Sequence, residues 1–418
     1  MSLHDFGTLP PGVSTPAPTP FTINIPKTQQ ERLANLINDA EIAAPSFYNT
    51  HTDATDVSTS VGVSRDWLVN AREVWAGRDS NNTSEGRYSW EEEQKKFNRY
   101  PQFTADVNVE HTTGEKTEKE TFHLHFAALF SRSPTATPIL LLHGWPGAWF
   151  EFAPALDRLA AQYTPETLPY HVVVPSLPDF GFSTREGVSE RELSRELAAA
   201  ALDGLMKGLG LGDGYVVQGG DLGAIIGPLV AAQSEGCKAL HVNFSFLTPE
   251  QRESVAKFTV KPEEQALVAR AAVWGGRGRA YATMHSTRPS TIALVLGTNP
   301  LAMLAWMGEK FQEWSDSRYP VPLNTVLSVV SYYWYTNSFG RAIWAYSPNG
   351  TIFPSVPSTK PFGYSSYPSE IMALPRSWAE KLFPTLVLYK QHDKGGHFAA
   401  LEQPELFLQD LEEFIALI

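Results

Sequence analysis

The chain has 418 residues, 43% hydrophobic and 19% charged, so it can bury a large core, and its length allows about two or three domains. A formal net charge of -12 without a dense Lys/Arg tract argues against a nucleic-acid surface. A single cysteine, Cys237, excludes an intrachain disulfide and a cysteine-rich metal site, which points to a reducing, cytoplasmic setting.

The opening MSLHDFGTLPPGVSTPAPTP lacks a basic start followed by an apolar stretch, and no run of about 18 apolar residues occurs anywhere. Neither a signal peptide nor a membrane span is expected. Residues 8–20, rich in Pro, Thr and Ser, read as extended. Helical spacing follows in KTQQERLANLINDAEIA, WLVNAREVW and WEEEQKKFNRY, which makes residues 1–105 a helical, meandering N-terminal segment. From 106 to 246 strands alternate with helices. TFHLHFAALF, TPILLLHGW, HVVVPSLPDF, YVVQGGD and HVNFSF read as strands, and SERELSRELAAALDGLMKGLG and AIIGPLVAA as helices. Such alternation calls for a parallel sheet covered on both faces. Residues 247–346 lose the strand signal and carry helix formers and aromatics, as in PLAMLAWMGEKFQEW and TVLSVVSYYWYTNSF. Strand character returns within 347–418 in FPTLVLYKQH, before a final helix in PELFLQDLEEFIALI. A helical block inserted between late strands is the layout of a lid over the carboxyl ends of a sheet. GLGLGDG, at 208–214, ends a helix and precedes a strand, whereas a dinucleotide loop follows a strand and opens a helix, so no nucleotide cofactor is expected.

Gly219-Gly220-Asp221-Leu222-Gly223 places small residues two before and two after Asp221, between a strand and a helix. That is the nucleophile elbow of the α/β-hydrolase fold, with aspartate where serine usually stands. An isolated Gly-Asp turn would be read as a helix cap. Here PILLLHG ends in His143-Gly144-Trp145-Pro146-Gly147, as the oxyanion loop of that fold does, and KGGHFAALEQPE supplies His397. An ionised aspartate is already a nucleophile at neutral pH and can displace at an sp³ carbon, forming an alkyl ester. Histidine-activated water then attacks the ester carbonyl, and the backbone N–H groups of Trp145 and Leu222 are the expected oxyanion donors. Epoxides and haloalkanes both suit this scheme. No G-x-S-x-G occurs, which argues against a serine esterase.

The motifs HGWPGAWFEF, PSLPDFGFS, QGGDLGA, MHSTRP, YYWYTNSF and GGHFAALEQPE stand in order along the chain, which with its FTINIPKTQQERLANLI opening resembles the epoxide hydrolases of the microsomal type in their soluble fungal form. The resemblance implies an α/β-hydrolase with a helical lid and an N-terminal segment wrapping core and lid. It implies hydrolysis of a small apolar epoxide to a vicinal diol without cofactor or metal, and it suggests a homodimer. By position it implies that Tyr281, six residues before Thr287, and Tyr333 donate to the epoxide oxygen, with Tyr332 and Tyr335 as neighbouring competitors. It makes Glu370 the acid that orients His397, since Asp393 lies too close along the chain. Among the histidines only His123 and His125 suggest a metal pair, and they are expected to flank a β-turn instead. Two alternatives stay open. A haloalkane dehalogenase shares the aspartate and histidine but usually places tryptophan where Leu222 stands, and an inactive hydrolase fold would serve as a binding protein.

Overall fold

A computed structural model of the chain describes residues 2–78, 87–113, 116–347 and 359–418. Apolar runs become strands, and the central ones are buried on both faces. In chain order these are β1 (Thr19–Pro20), β2 (Gln102–Thr113), β3 (Lys116–Leu129), β4 (Thr137–Leu142), β5 (Tyr170–Pro175), β6 (Thr184–Arg185), β7 (Tyr215–Gly219), β8 (Cys237–Val242), β9 (Phe362–Ser366) and β10 (Leu386–Gln391). They form one sheet in the order β1-β2-β3-β5-β4-β7-β8-β9-β10, with β6 paired to β3. The pairings are antiparallel up to the β3–β5 contact and parallel from β5 to β10. This is the α/β-hydrolase fold, and the carboxyl ends of β4, β7 and β8 share one edge where loops can meet.

The expected segment boundary at 105 falls inside β2, which extends the sheet by pairing with β3 along its full length. Its apolar residues alternate: Phe103, Val107 and Val109 are buried, and polar residues lie between them. His123 and His125 do not flank a turn. Both lie inside β3, opposite Asp106 and Thr104. His123 Nδ1 pairs with Asp106 Oδ1 at 2.6 Å, and His125 is fully buried between Ser176 Oγ and Gln102 Oε1, each at 3.0 Å. Alternate residues of a strand share a face, so the spacing that suggested a ligand pair belongs to the ladder.

Between β8 and β9 the helices from Pro249 to Tyr346 form the inserted block. The N-terminal helices Lys27–Asp39, Arg65–Trp75 and Trp90–Phe97 pack against its helices Pro300–Trp314 and Leu323–Tyr335. Two buried donors, Trp75 Nε1 at 3.0 Å and Tyr88 Oη at 2.9 Å, converge on Ser331 Oγ of the latter helix. Buried side chains paired in this way fix one geometry, because either donor left alone would lose its hydrogen bond without regaining water. The segment therefore anchors the helix that carries Tyr333. Among the described residues, no single helix is long and apolar enough to cross a membrane.

Candidate active site

β7 delivers the chain into a corner where Asp221 sits at φ 48°, a left-handed conformation that Asp tolerates better than most residues. The helix Gly223–Gln233 leaves at once. The corner is so tight that a Cβ on Gly219 would lie 2.3 Å from the backbone of Gly223, and one on Gly223 would lie 2.1 Å from Leu142 O. Small residues at these two positions are therefore a steric condition for raising the aspartate side chain above the sheet. Asp221 retains 13% side-chain exposure.

The loop after β4 faces it. Burial pushes His143 down to about 4, so its ring is neutral. It bridges Gly144 O to Nδ1 and Leu177 N–H to Nε2, each at 3.0 Å, which fixes the proton on Nδ1 and pins the loop. The Trp145 N–H then donates to Asp221 Oδ1 at 2.7 Å. Gly144 permits the approach, since a Cβ there would lie 2.2 Å from that oxygen. Leu222 follows Asp221 directly and caps the helix that begins at Gly223.

His397 arrives from the loop after β10. Its N–H donates to Trp314 O at 3.0 Å and Gly395 N–H to Asp316 Oδ2 at 2.9 Å, while a Cβ on Gly396 would lie 2.5 Å from Trp314 O. The glycine pair before the histidine is thus required by the close pass of the segment leaving the lid. The His397 Nδ1 meets Glu370 Oε1 at 2.7 Å, and Nε2 lies 3.2 Å from Asp221 Oδ2, an ion pair without the alignment of a hydrogen bond. Glu370 is fully buried, and its Oε1 also accepts from Ile371 N–H at 2.6 Å. Burial alone would lower His397, but the charges of Glu370 and Asp221 outweigh it and raise the imidazole to about 10. Asp393 is exposed, and its carbonyl accepts from Arg318, away from the ring.

The tyrosines separate by environment. Tyr281, in the helix Ala280–Thr287, is buried and stacks on the Trp145 ring with centroids 5.2 Å apart and planes at 14°. Tyr333 is fully buried and donates to Gly147 O at 2.8 Å. Burial, aided by the Asp221 charge, holds both hydroxyls well above the usual tyrosine range, so both stay protonated donors. Tyr332 instead bonds Ser176 Oγ at 3.0 Å and rests on Gly181, where a Cβ would lie 1.9 Å from its hydroxyl. Tyr335 is only partly buried and packs its ring on Trp90 of the N-terminal segment, with centroids 4.8 Å apart. Two further groups escaped sequence reasoning. Tyr346, in the short turn Ile343–Tyr346, is hydrogen-bonded to Tyr281 and feels the charge of Asp221. Glu151, in the HGWPGAWFEF stretch, lines a small cavity with Asp221 and His397.

The family model described as "Epoxide hydrolase N terminus" matches residues 18–152, and that described as "Alpha/beta hydrolase family" matches residues 139–410. A Dothistroma septosporum protein bearing the epoxide hydrolase name is 40% identical over 409 residues, which cover 97% of this chain and 91% of the relative. The solved structure of Aspergillus niger epoxide hydrolase is similar with a TM-score of 0.84 and 38% identity, covering 98% of this chain and 99% of the other. Juvenile hormone epoxide hydrolase from the silkworm Bombyx mori shares the fold, with a TM-score of 0.79 at 24% identity over 100% of this chain and 98% of that one.

Proposed function

The chain belongs to the epoxide hydrolases of the α/β-hydrolase family, and from that premise we propose that it converts small apolar epoxides to vicinal diols through an ester on Asp221. The observation that carries this reading is the continuous line from the Trp145 N–H through the Asp221 carboxylate to His397 and Glu370. Asp221 Oδ1 is engaged by Trp145, which leaves Oδ2 to attack a ring carbon. As the carbon–oxygen bond breaks, Tyr281 and Tyr333 supply hydrogen bonds and a proton to the oxygen. Alkylation cancels the charge of Asp221, and with it one of the two carboxylates that keep His397 protonated. The proton His397 then sheds balances the one the tyrosines gave. Neutral His397 takes a proton from water, whose oxygen adds to the Asp221 carbonyl carbon. The oxyanion forms on Oδ1, where Trp145 N–H already points and Leu222 N–H is the second donor. Its collapse expels the diol oxygen, which takes the proton from His397, and the acid left on Asp221 returns its proton to the imidazole, restoring the carboxylate.

Diol formation from styrene oxide, measured beside halide release from a chloroalkane, tests the reading. Diol without halide is the expected result. Halide without diol would assign the site to dehalogenation, and neither product would make the chain a binding protein on a hydrolase fold.

Replacing Tyr281 or Tyr333 with Phe should slow ring opening, because a lost donor to developing negative charge costs on the order of 2–4 kcal/mol. The double variant should be nearly inactive. The rate of Asp221 alkylation in rapid-quench experiments reads this step directly. If both single variants alkylate at the wild-type rate, the donor role passes to Tyr346, since Tyr332 is committed to Ser176 and the partly buried Tyr335 packs on Trp90.

A further inference from the structure

Beside the nucleophile lies a cavity of about 20 Å³, lined among others by Glu151, Asp221, His397, Gln218, Asn243 and Phe152. That is room for about one water molecule and too little for a substrate. All of its lining residues come from the sheet core and its loops; the inserted block that carries Tyr281 and Tyr333 contributes none. Tyr281 and Tyr333 touch it only through its wall, by the Trp145 ring and Gly147 O. Its polar groups are few and oriented. Gln218 is fully buried, donates to Asn243 Oδ1 at 3.0 Å, and has an Oε1 without a protein partner; His397 Nε2 is likewise buried without a hydrogen bond. Glu151 completes the set. It turns back under its own loop, so that a Cβ on Gly147 would lie 2.4 Å from Glu151 Oε2. A larger residue at 147 would take the space this carboxyl uses.

We propose that Glu151 is a water-positioning residue, holding the hydrolytic water in this core-side cavity between itself and His397, against the carbonyl carbon of the Asp221 ester. The inference rests on the covalent reading above. In the step it serves, one proton of the water passes to His397 Nε2, the water oxygen bonds to the ester carbon, and the remaining hydrogen is donated to a Glu151 oxygen. Glu151 ends the step with the proton count it began with. The charged and titratable groups facing it are Asp221, His397 and Tyr333. In the resting enzyme, loss of solvation first and the Asp221 charge second push Glu151 up to about 8, while His397 pulls it down. In either protonation state its carboxyl keeps an oxygen that can accept from the water.

Glutamine keeps the shape of Glu151 but replaces one of its two acceptor oxygens with an NH2 donor and carries no charge, so Glu151→Gln weakens the hold on the water without emptying its cavity. With styrene oxide under single-turnover conditions, the variant should alkylate Asp221 within about twofold of wild type and hydrolyse the ester on the order of 10- to 100-fold more slowly, as expected when a reacting water loses its position. Glu151→Asp, which keeps the charge, should recover part of the hydrolysis rate. Hydrolysis at the wild-type rate in Glu151→Gln overturns the proposal, and so does an equal loss of alkylation and hydrolysis, which marks a structural role. His397→Gln is run in parallel. If it accumulates no ester, the covalent reading itself fails; if it does and Glu151→Gln does not, the failure belongs to Glu151 alone.

Discussion

Asp221→Ala should abolish turnover, by at least about 10⁴-fold, as the loss of a covalent nucleophile does elsewhere. The fold should survive, because the side chain faces the pocket and its partner, the Trp145 N–H, can turn to water there. Placing alanine at φ 48° costs about 1–2 kcal/mol, within the margin of a domain of this size. A stricter check follows the oxygen atoms. In a single turnover in heavy-oxygen water, the water oxygen joins the Asp221 carbonyl carbon and the diol departs with the original Oδ2. The label should therefore appear in the peptide containing Asp221, and the first diol released should carry none. Direct attack of water on the epoxide would invert this outcome, placing label in the diol and leaving the peptide light.

What could be read without coordinates divides along physical lines. The elbow was legible because its constraint is local: the clash of a Cβ on Gly219 or Gly223 is with residues a few positions away or with the next strand, and small residues record it. The parallel strands were legible because burial on both faces leaves continuous apolar runs such as ILLL and VVV. β9 was not, since Phe-Gly-Tyr-Ser-Ser has neither a run nor a clear alternation, and its pairing with β8 and β10 is set by tertiary packing. The polar outward residues of β2 hid its length in the same way. Nothing in the local pattern distinguishes Glu370 or selects Tyr333 from its neighbours; their assignment came through the family resemblance. Consecutive residues on a helix point about 100° apart, so whether Tyr332 or Tyr333 faces Asp221 depends on helix rotation, which Ser331 and its two buried donors hold in place. Glu151 was quoted within a motif but not singled out, because its meaning lies in the cavity it shares with residues from three other loops.

The two half-reactions should come apart when His397 is changed. Alkylation needs Asp221 ionised and the tyrosines protonated, and it needs no base; only hydrolysis does. His397→Gln should react once and stop, leaving protein heavier by one epoxide in intact-mass spectra and a burst without a steady state in rapid-quench kinetics. The same division predicts a pH effect in the wild type. At rest, with both carboxylates ionised, His397 is held near 10 and protonated. In the ester only Glu370 remains to oppose burial, so the imidazole falls and becomes available as a base. Lowering the pH through that reduced value re-protonates it, and hydrolysis should slow while alkylation continues until Asp221 itself takes a proton. Ester should accumulate in acid as it does in His397→Gln. Glu370→Gln should show a milder form of the defect. Ile371 N–H, Met372 N–H and His397 Nδ1 all require an acceptor at Oε1, so the amide oxygen takes that place and preserves the tautomer. What is lost is the charge opposite the imidazolium, roughly 1.5–3 kcal/mol, or about ten- to a hundredfold in hydrolysis. Unchanged hydrolysis in Glu370→Gln would remove the acid role from this carboxylate, and Asp393 could not inherit it from its exposed position. A His397→Gln enzyme that turns over normally would leave the ester without its base and the covalent mechanism without support.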